Sequence, residues 1–427
     1  MREELAPVSR ELSRRAGVEW EIYEKQTRSR EIRHTPNLIE EFSRREEGWA
    51  ARWRQEGRRF FAAASGPAGL LAAIPTAAAI EALPGLPWTA APPASGPDTA
   101  GPEEPEACAD DFDELSQLLA SESHGKARLL ALSRVRSIAV DRLVNGAGLE
   151  IARRREPGYV HARAAGVAGD ARVGADGLYP EGALAPDITR IARSLADRCV
   201  LPLEGGRLGI TRGDLLLDPA VAAAVAAAAL PLFTGDALKS LLSRRYLDRG
   251  GCFSAPGLQV VDDAAAEGPF DAEGTPTSRV AILEDGAFRC RLHDVESAAR
   301  SGEAVTGSAV RPSFRHPPMP GATRLEIGSR TPAPARELLA RVQRGLYASS
   351  LTAPARVDLE EDRYRLEIEG WAIHAGRGKS PIAHAVLAGR FSDLWRRIIA
   401  VGDDRRWFLG PMPVGAPTLL IERATFS

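Results

Sequence analysis

The sequence predicts an α+β protein: an N-terminal domain of helices with an antiparallel meander, then a C-terminal domain rich in antiparallel β-sheet. Three observations carry this. Period-two alternation sets in right after a short N-terminal helix, with Val18, Trp20 and Ile22 against Glu19, Glu21 and Tyr23. From residue 201 onward, short strand-like segments dominate. Helices and strands do not alternate one for one, which disfavours a doubly wound parallel sheet. A chain of 427 residues has room for two or three domains at ~100–200 residues each, and the change of flavour divides it at 1–200 and 201–427.

Residues 7–16 read as a helix stopped by Gly17. The meander follows, and Glu47-Gly48 and Glu56-Gly57 sit at hairpin-turn spacing within it. "GPAGLLAAIPTAAAIEAL" is an Ala-rich helical segment. A loop dense in Pro, Gly and Ala comes next, at about 83–106, with the composition of solvated, extended chain. "DDFDELSQLLASES" is a short amphipathic helix. Residues 126–172 read as further strands with a turn at Asn145-Gly146, and "APDITRIARSLADRC" as a helix with Asp187 near its start.

In the second half the strands are "GLQVVDD", "SRVAILEDGAFRCRLHD", "ATRLEIGS", "ARVDLEEDRYRLEIEGWAIHA", "PIAHAVLAG" and "PTLLIERATF". The helical pieces are "DALKSLLSRRY", "PAPARELLARVQRGLY", "FSDLWRRIIAV" and "DPAVAAAVAAAALPLFTGD". The last is the longest apolar run in the chain. Asp218 stands at its N-cap and Pro219 at its first turn. Its apolar part, 220–233, falls short of the ~20 residues that cross a bilayer. It reads as a soluble core helix.

Composition narrows the partners. With 55 basic and 57 acidic residues the formal net charge is -2, so neither nucleic acid nor a membrane surface is expected. The four cysteines, Cys108, Cys199, Cys252 and Cys290, form no CxxC motif, and reduced thiols are expected. The N-terminal "MREELAPVSRELSRRAG" has no apolar core of a secretory signal. A cytoplasmic location is the expectation.

The search for chemistry is mostly negative. None of the seven histidines belongs to an HExxH pair. His374 and His384 flank a hairpin and could face each other, yet a zinc site needs three or four ligands. His293-Asp294 has the residue types of an acid/base pair, but neighbours on a strand point to opposite faces. "HAGRGKSP" resembles the end of a phosphate loop, but Ile373 stands where the first glycine would be, and it reads as a Gly-rich hairpin turn.

The order of motifs in the second half is more telling. "LQVVDD" leads to "FDAEGTPTSRVAILEDG", Thr306-Gly307, "PPMPGATRLEIGS" and "RLEIEGWAIHAGRGKSPIAHAVLAG". This series resembles the TldD/PmbA family, and "AGVEWEIYEKQTRSREIR" fits its N-terminal part. The resemblance implies a metallopeptidase-related protein acting in proteolysis of peptides. Catalytic members of the family carry HExxxH on a helix before the "DAEGTPT" region, where two histidines and a later carboxylate hold zinc and the glutamate activates water. They also carry a cysteine near the C-terminus, which "RWFLGPMPVGAPT" lacks.

An ungapped placement ending at Gly235-Asp236 puts the histidine positions on Ala226 and Pro231 and the glutamate position on Ala227. No His, Asp or Glu lies anywhere in 220–234. The resemblance therefore implies a TldE/PmbA-type subunit with no catalytic residues and no metal ligands of its own. Its heterodimer partner would be a TldD-like catalytic subunit that holds the zinc, and the substrate an unfolded or leader peptide bound as an extended strand. Glu273, Thr275 and Thr277 in the signature loop are candidates for the peptide groove. The alternative is a stand-alone peptide-binding or regulatory protein, a homodimer without peptidase activity.

Overall fold

The computed structural model describes residues 3–16, 19–80, 102–106, 111–236, 254, 256–410 and 412–427. Its N-terminal half is organised by one long hairpin. Strand β1 (Trp20–Thr35, 16 residues) and strand β2 (Leu38–Gln55, 18 residues) pair antiparallel, with Trp20 opposite Trp53 and Thr35 opposite Leu38. At the usual rise this ribbon is about 50 Å long. Strand β3 (Arg58–Ala64) folds back on the end of β2 through Glu56 and Gly57. Both turn residues have positive φ, 52° and 72°, as a two-residue hairpin loop requires.

The expected turn at Glu47-Gly48 does not form. Both residues run straight through β2, opposite Gln26 and Lys25. The glycine has a different cause: a Cβ at position 48 would overlap the ring of Phe314. A glycine inside a strand often marks such a close approach.

The sheet is completed by β4 (Ala79–Ile80), β5 (Ala127–Asn145), β6 (Glu150–Arg155), β7 (Gly158–Ala168) and β8 (Ala171–Pro180). Its order is β4-β3-β2-β1-β5-β7-β8, with β6 also on β5. Helices cover it in two places. Helix α1 (Ala6–Ala16) and helix α2 (Pro67–Ala73) bury Leu12 and Leu70 with Trp49 and Trp53 at the β1–β3 end. The Ala-rich helix is thus shorter than expected; Ile74–Thr76 is a 3-10 turn and the chain then enters β4. Helix α3 (Phe112–Glu122) and helix α4 (Ile188–Glu204) close the β5–β7–β8 end over Leu119, Leu195 and Cys199. Asp187 caps α4, accepting the Thr189 N–H at 2.8 Å. Of the Pro/Gly/Ala-rich loop, 102–106 is irregular chain and 81–101 lies outside the described residues.

Among the described residues, the second half holds two larger sheets. One has eight strands, with Arg212–Leu217, Arg344–Leu351, Arg363–His374 and Arg377–Arg390 at its centre. The other has six, centred on Leu258–Asp263 and Leu325–Ser329. Most pairings are antiparallel, but Arg212–Leu217 runs parallel to Arg344–Leu351.

Two expected helices end early. The helix Ala335–Arg341 stops before Arg344, and the helix Phe391–Arg396 gives way to the strand Ile398–Val401. In both cases the lost helical residues pair with strands distant in sequence, Asp214–Leu217 and Leu419–Ile421. The expected strand through 290–294 ends at Phe288. The helix read in "DALKSLLSRRY" lies outside the described residues from 237 on. No helix among the described residues is long and apolar enough to cross a membrane.

Candidate functional site

Helix α5 (Pro219–Ala229) lies between the two C-terminal sheets. It follows the strand Arg212–Leu217 directly, so its start is fixed by the sheet. Asp218 caps it, accepting the Ala220 N–H at 2.8 Å. The other Asp218 oxygen accepts the Tyr347 hydroxyl at 2.6 Å and an Arg406 N–H. Burial, and then the Asp218 charge, raise the Tyr347 pKa above its ordinary value, so this hydroxyl stays a donor.

Alanine suits the middle of α5. It has the best helix propensity and leaves room for neighbours to pack closely. Val221, Ala222, Val225, Ala226 and Ala229 join one apolar core with Leu217, Ile327 and Leu346. The chain then tightens through Leu230–Phe233, and Thr234 bridges to Leu292.

The three sequence-aligned positions fall in different surroundings. Ala226 is 0% exposed in the apolar core. Ala227 is half-buried and Pro231 is exposed. Methyl groups and a pyrrolidine ring offer no lone pair to a metal. Among the described residues, no group of three or more His, Cys, Asp and Glu side chains is placed to hold a metal ion. The side chains at these three positions do not fit a zinc centre.

The signature loop lies elsewhere and is engaged in the fold. Asp271 accepts N–H groups of Glu273 at 2.8 Å, Thr275 at 2.9 Å and Ala309 at 3.0 Å. Burial, and then Glu273, push its carboxyl up to about 7. Gly274 has φ +80°, and a side chain there would run into Leu149 of the N-terminal half.

Glu273 is 4% exposed, and both its oxygens are taken. One accepts Arg52 at 2.7 Å, the other the Val295 N–H at 2.8 Å. The geometry therefore engages Glu273 in the join between β2 and the loop rather than in a groove. Thr277 donates to the Gly268 carbonyl. Thr275 is half-buried, and its hydroxyl oxygen makes no hydrogen bond among the described residues.

Sequence reasoning missed the charged partners of this loop. Arg52 bridges Glu273 and Glu21, which it meets at 2.7 Å. Burial alone would lower its pKa, but Glu21 and Glu273 outweigh that and hold the guanidinium charged. Arg311 also pairs with Glu21, and its guanidinium sits 4.6 Å above the Tyr23 ring. Tyr23 in turn donates to Asp141 at 2.7 Å. The one signal in the sequence was the presence of Glu21 and Arg52 on strands whose apolar neighbours are buried.

A second missed group surrounds the start of α5. Asp197 of α4 accepts the Ser349 hydroxyl at 3.4 Å, and Glu369 accepts that of Ser350. Burial pushes the Asp197 carboxyl up to about 6, with Ser349 opposing and Asp218 adding to the rise.

Among the described histidines, His161 meets Asp176 and His316 meets Ser313, whereas His293 contacts both a hydroxyl and a carboxylate. Its Nδ1 lies 3.1 Å from Ser297 Oγ and its Nε2 3.1 Å from Glu303. The order Ser–His–Glu has the form of a nucleophile triad. But Ser297 is 0% exposed, and its hydroxyl belongs to the capping box of the short helix Val295–Ser301, which Asp294 caps. A substrate cannot reach it. His293 and Asp294 do not pair side chain to side chain, but not for the expected reason: neither lies on a strand, and Asp294 caps the helix that follows. His374 sits at the hairpin end opposite Arg377, while His384 pairs beside Arg207, so the two do not face each other.

Comparison with known proteins adds the following. Residues 211–427 match the family described as PmbA/TldA metallopeptidase C-terminal domain. The chain is 32% identical over 163 residues to Metalloprotease slr0863 of Synechocystis, covering 37% of this chain and 35% of that one. It is 25% identical over 183 residues to the Metalloprotease TldD homolog of Buchnera aphidicola, covering 39% and 38%. The matched region thus spans little more than a third of these curated relatives. The crystal structure of TldE from Thermococcus kodakarensis superposes with a TM-score of 0.83 at 17% identity, covering 99% of this chain and 100% of that one. A putative modulator of a DNA gyrase from Thermotoga maritima gives 0.76 at 15% identity, covering 99% and 98%.

Proposed function

The chain belongs to the PmbA/TldD metallopeptidase family, and from that premise we propose that it is a subunit with no zinc centre of its own. It would complete a peptidase whose metal and general base reside on a homologous, TldD-like chain. The carrying observation is helix α5: Ala226, Ala227 and Pro231 stand where the resemblance puts two histidines and a glutamate. Ala226 is sealed in the core. A helix that has exchanged ligands for methyl groups leaves no buried polar atom unpaired. Such a helix can keep its packing while chemistry is done by the partner.

Under this reading the substrate is an unfolded or leader peptide, held as an extended strand, and the complex works in the cytoplasm. Strand addition suits such substrates, because main-chain hydrogen bonds supply affinity with little demand on sequence. The alternative, a homodimeric peptide-binding protein without peptidase activity, differs in one observable. Copurification of the native complex from its own host decides between them. The proposal expects a second chain bearing HExxxH and peptide cleavage only when both chains are present. Recovery of this chain alone, with no cleavage restored by an HExxxH homologue from the same host, would overturn it.

A further inference from the structure

The segment "HAGRGKSP" resembles the end of a phosphate loop in sequence but folds as a tight turn between the strands Arg363–His374 and Arg377–Arg390. Ala375 and Gly376 make the two-residue loop, with φ of 50° and 71°. Their N–H groups donate to the Gln343 and Val342 carbonyls, both at 2.8 Å. A Cβ at position 376 would lie 2.9 Å from Ala340, so the turn is pressed against the end of the helix Ala335–Arg341. The backbone donors of the turn are thus spent, and an anion can be met here only by side chains.

Three of those side chains stand in one row. Arg344 is directly opposite His374, and His374 directly opposite Arg377. Directly opposed residues project from the same face of a sheet, so two guanidiniums flank an imidazole. Strand spacing puts the two arginine Cα atoms about 10 Å apart, a span across which two long side chains converge on one group above His374. All three residues are exposed. Neither Arg344 nor Arg377 enters an ion pair or a side-chain hydrogen bond among the described residues. His374 Nδ1 lies 3.4 Å from the Gln343 carbonyl oxygen. A carbonyl only accepts, so Nδ1 carries the hydrogen, and in the neutral ring Nε2 is left as an acceptor. Both ends of the row are open. Gly213 stands beside Arg344, where a Cβ would lie 2.7 Å from the Arg344 carbonyl, and the pairing beyond Arg377 begins only at Ile382.

Arginine forks take carboxylate and phosphate groups by paired N–H bonds. One fork answers a carboxylate. Two forks with an acceptor between them, held on a rigid turn, answer a group with two negative charges and a hydroxyl. We propose that Arg344, His374 and Arg377 form a binding site for a phosphoryl group, brought by free phosphate or by a small phosphate monoester. The two arginines hold its anionic oxygens, and His374 Nε2 accepts from the hydroxyl of a hydrogen phosphate. The inference rests on this hairpin and not on the reading of α5.

The test is calorimetric titration of the full chain with inorganic phosphate and, separately, with phenyl phosphate. Ionic strength is held constant with chloride, so that general screening is the same throughout. The expected dissociation constant is on the order of millimolar or tighter, and the ligand that binds more tightly identifies the source of the group. Arg344→Gln and Arg377→Gln should each weaken binding by about tenfold. Arg356→Gln, at an exposed arginine of the same sheet outside the row, should leave it unchanged. Phosphate should also raise the melting temperature of the parent chain and not that of the double variant. A variant that merely misfolds is recognised by its melt without phosphate. A parent chain that binds neither ligand at about fifty times that concentration, binding that survives both arginine substitutions, or binding that falls equally in Arg356→Gln overturns the proposal.

Discussion

Arg52 and Glu273 are 221 positions apart and meet at 2.7 Å with both side chains buried. One lies on β2 and the other in the signature loop of the second half, so this pair fastens the loop to the N-terminal sheet. Phe314 on Gly48 and Arg311 on Glu21 lie at the same join. Glu273→Ala takes one carboxylate from the buried Arg52 and leaves the Val295 N–H without its acceptor. The expected cost is about 2–4 kcal/mol, read by urea unfolding. A loss within experimental error would mean that the join is held by its apolar contacts.

The close approach at Gly48 makes a second prediction. Gly48→Ala should destabilise by about 1–3 kcal/mol, because the methyl group meets the Phe314 ring. In a Phe314→Ala background the same change should cost far less. The coupling in that double-mutant cycle is the quantity to measure; additive effects would show that position 48 suffers for another reason.

Helix α5 should tolerate no ligand at its most buried position. Ala226→His adds a large polar ring to a site 0% exposed, with an expected loss of about 2 kcal/mol or more. Zinc should not restore the melting temperature, since no neighbouring ligand set is present among the described residues. Recovery on adding zinc would show that a latent site survives around the helix.

The carboxyl of Asp197 gives a pH signature. In the folded chain it holds its proton to about pH 6; an unfolded aspartate releases it near its usual value of about 3.9. Between these values the folded state binds more protons, so this group's contribution to stability falls as pH rises and is lost above the folded value. Asp197→Asn should therefore be more stable than the parent at pH 8, on the order of 1–2 kcal/mol after allowing for solvent screening. At pH 3 the advantage should vanish. Thermal melts at the two pH values check both halves of the statement.

What was legible in the sequence is local. Asp187 and Asp218 announced helix starts, because a cap needs only its own next residues. Glu56-Gly57 announced a turn for the same reason. Gly48 misled because its cause, Phe314, is far along the chain. Residues 344–347 continue a helical pattern in sequence but lie beside Arg212–Leu217 in space, and that pairing decided their form. The placement of ligand positions on Ala226, Ala227 and Pro231 rests on the resemblance alone, since an alanine helix by itself is a core helix. The burial of Glu273 was hidden, because nothing near it in sequence reveals Arg52.

The central claim is that this chain carries no zinc centre. The most direct test is the zinc content of the full chain, purified alone from zinc-supplemented cells and dialysed. The account predicts zinc well below one atom per chain and no chelator-sensitive peptide cleavage. Stoichiometric zinc, with cleavage abolished by a chelator and no partner present, would contradict it.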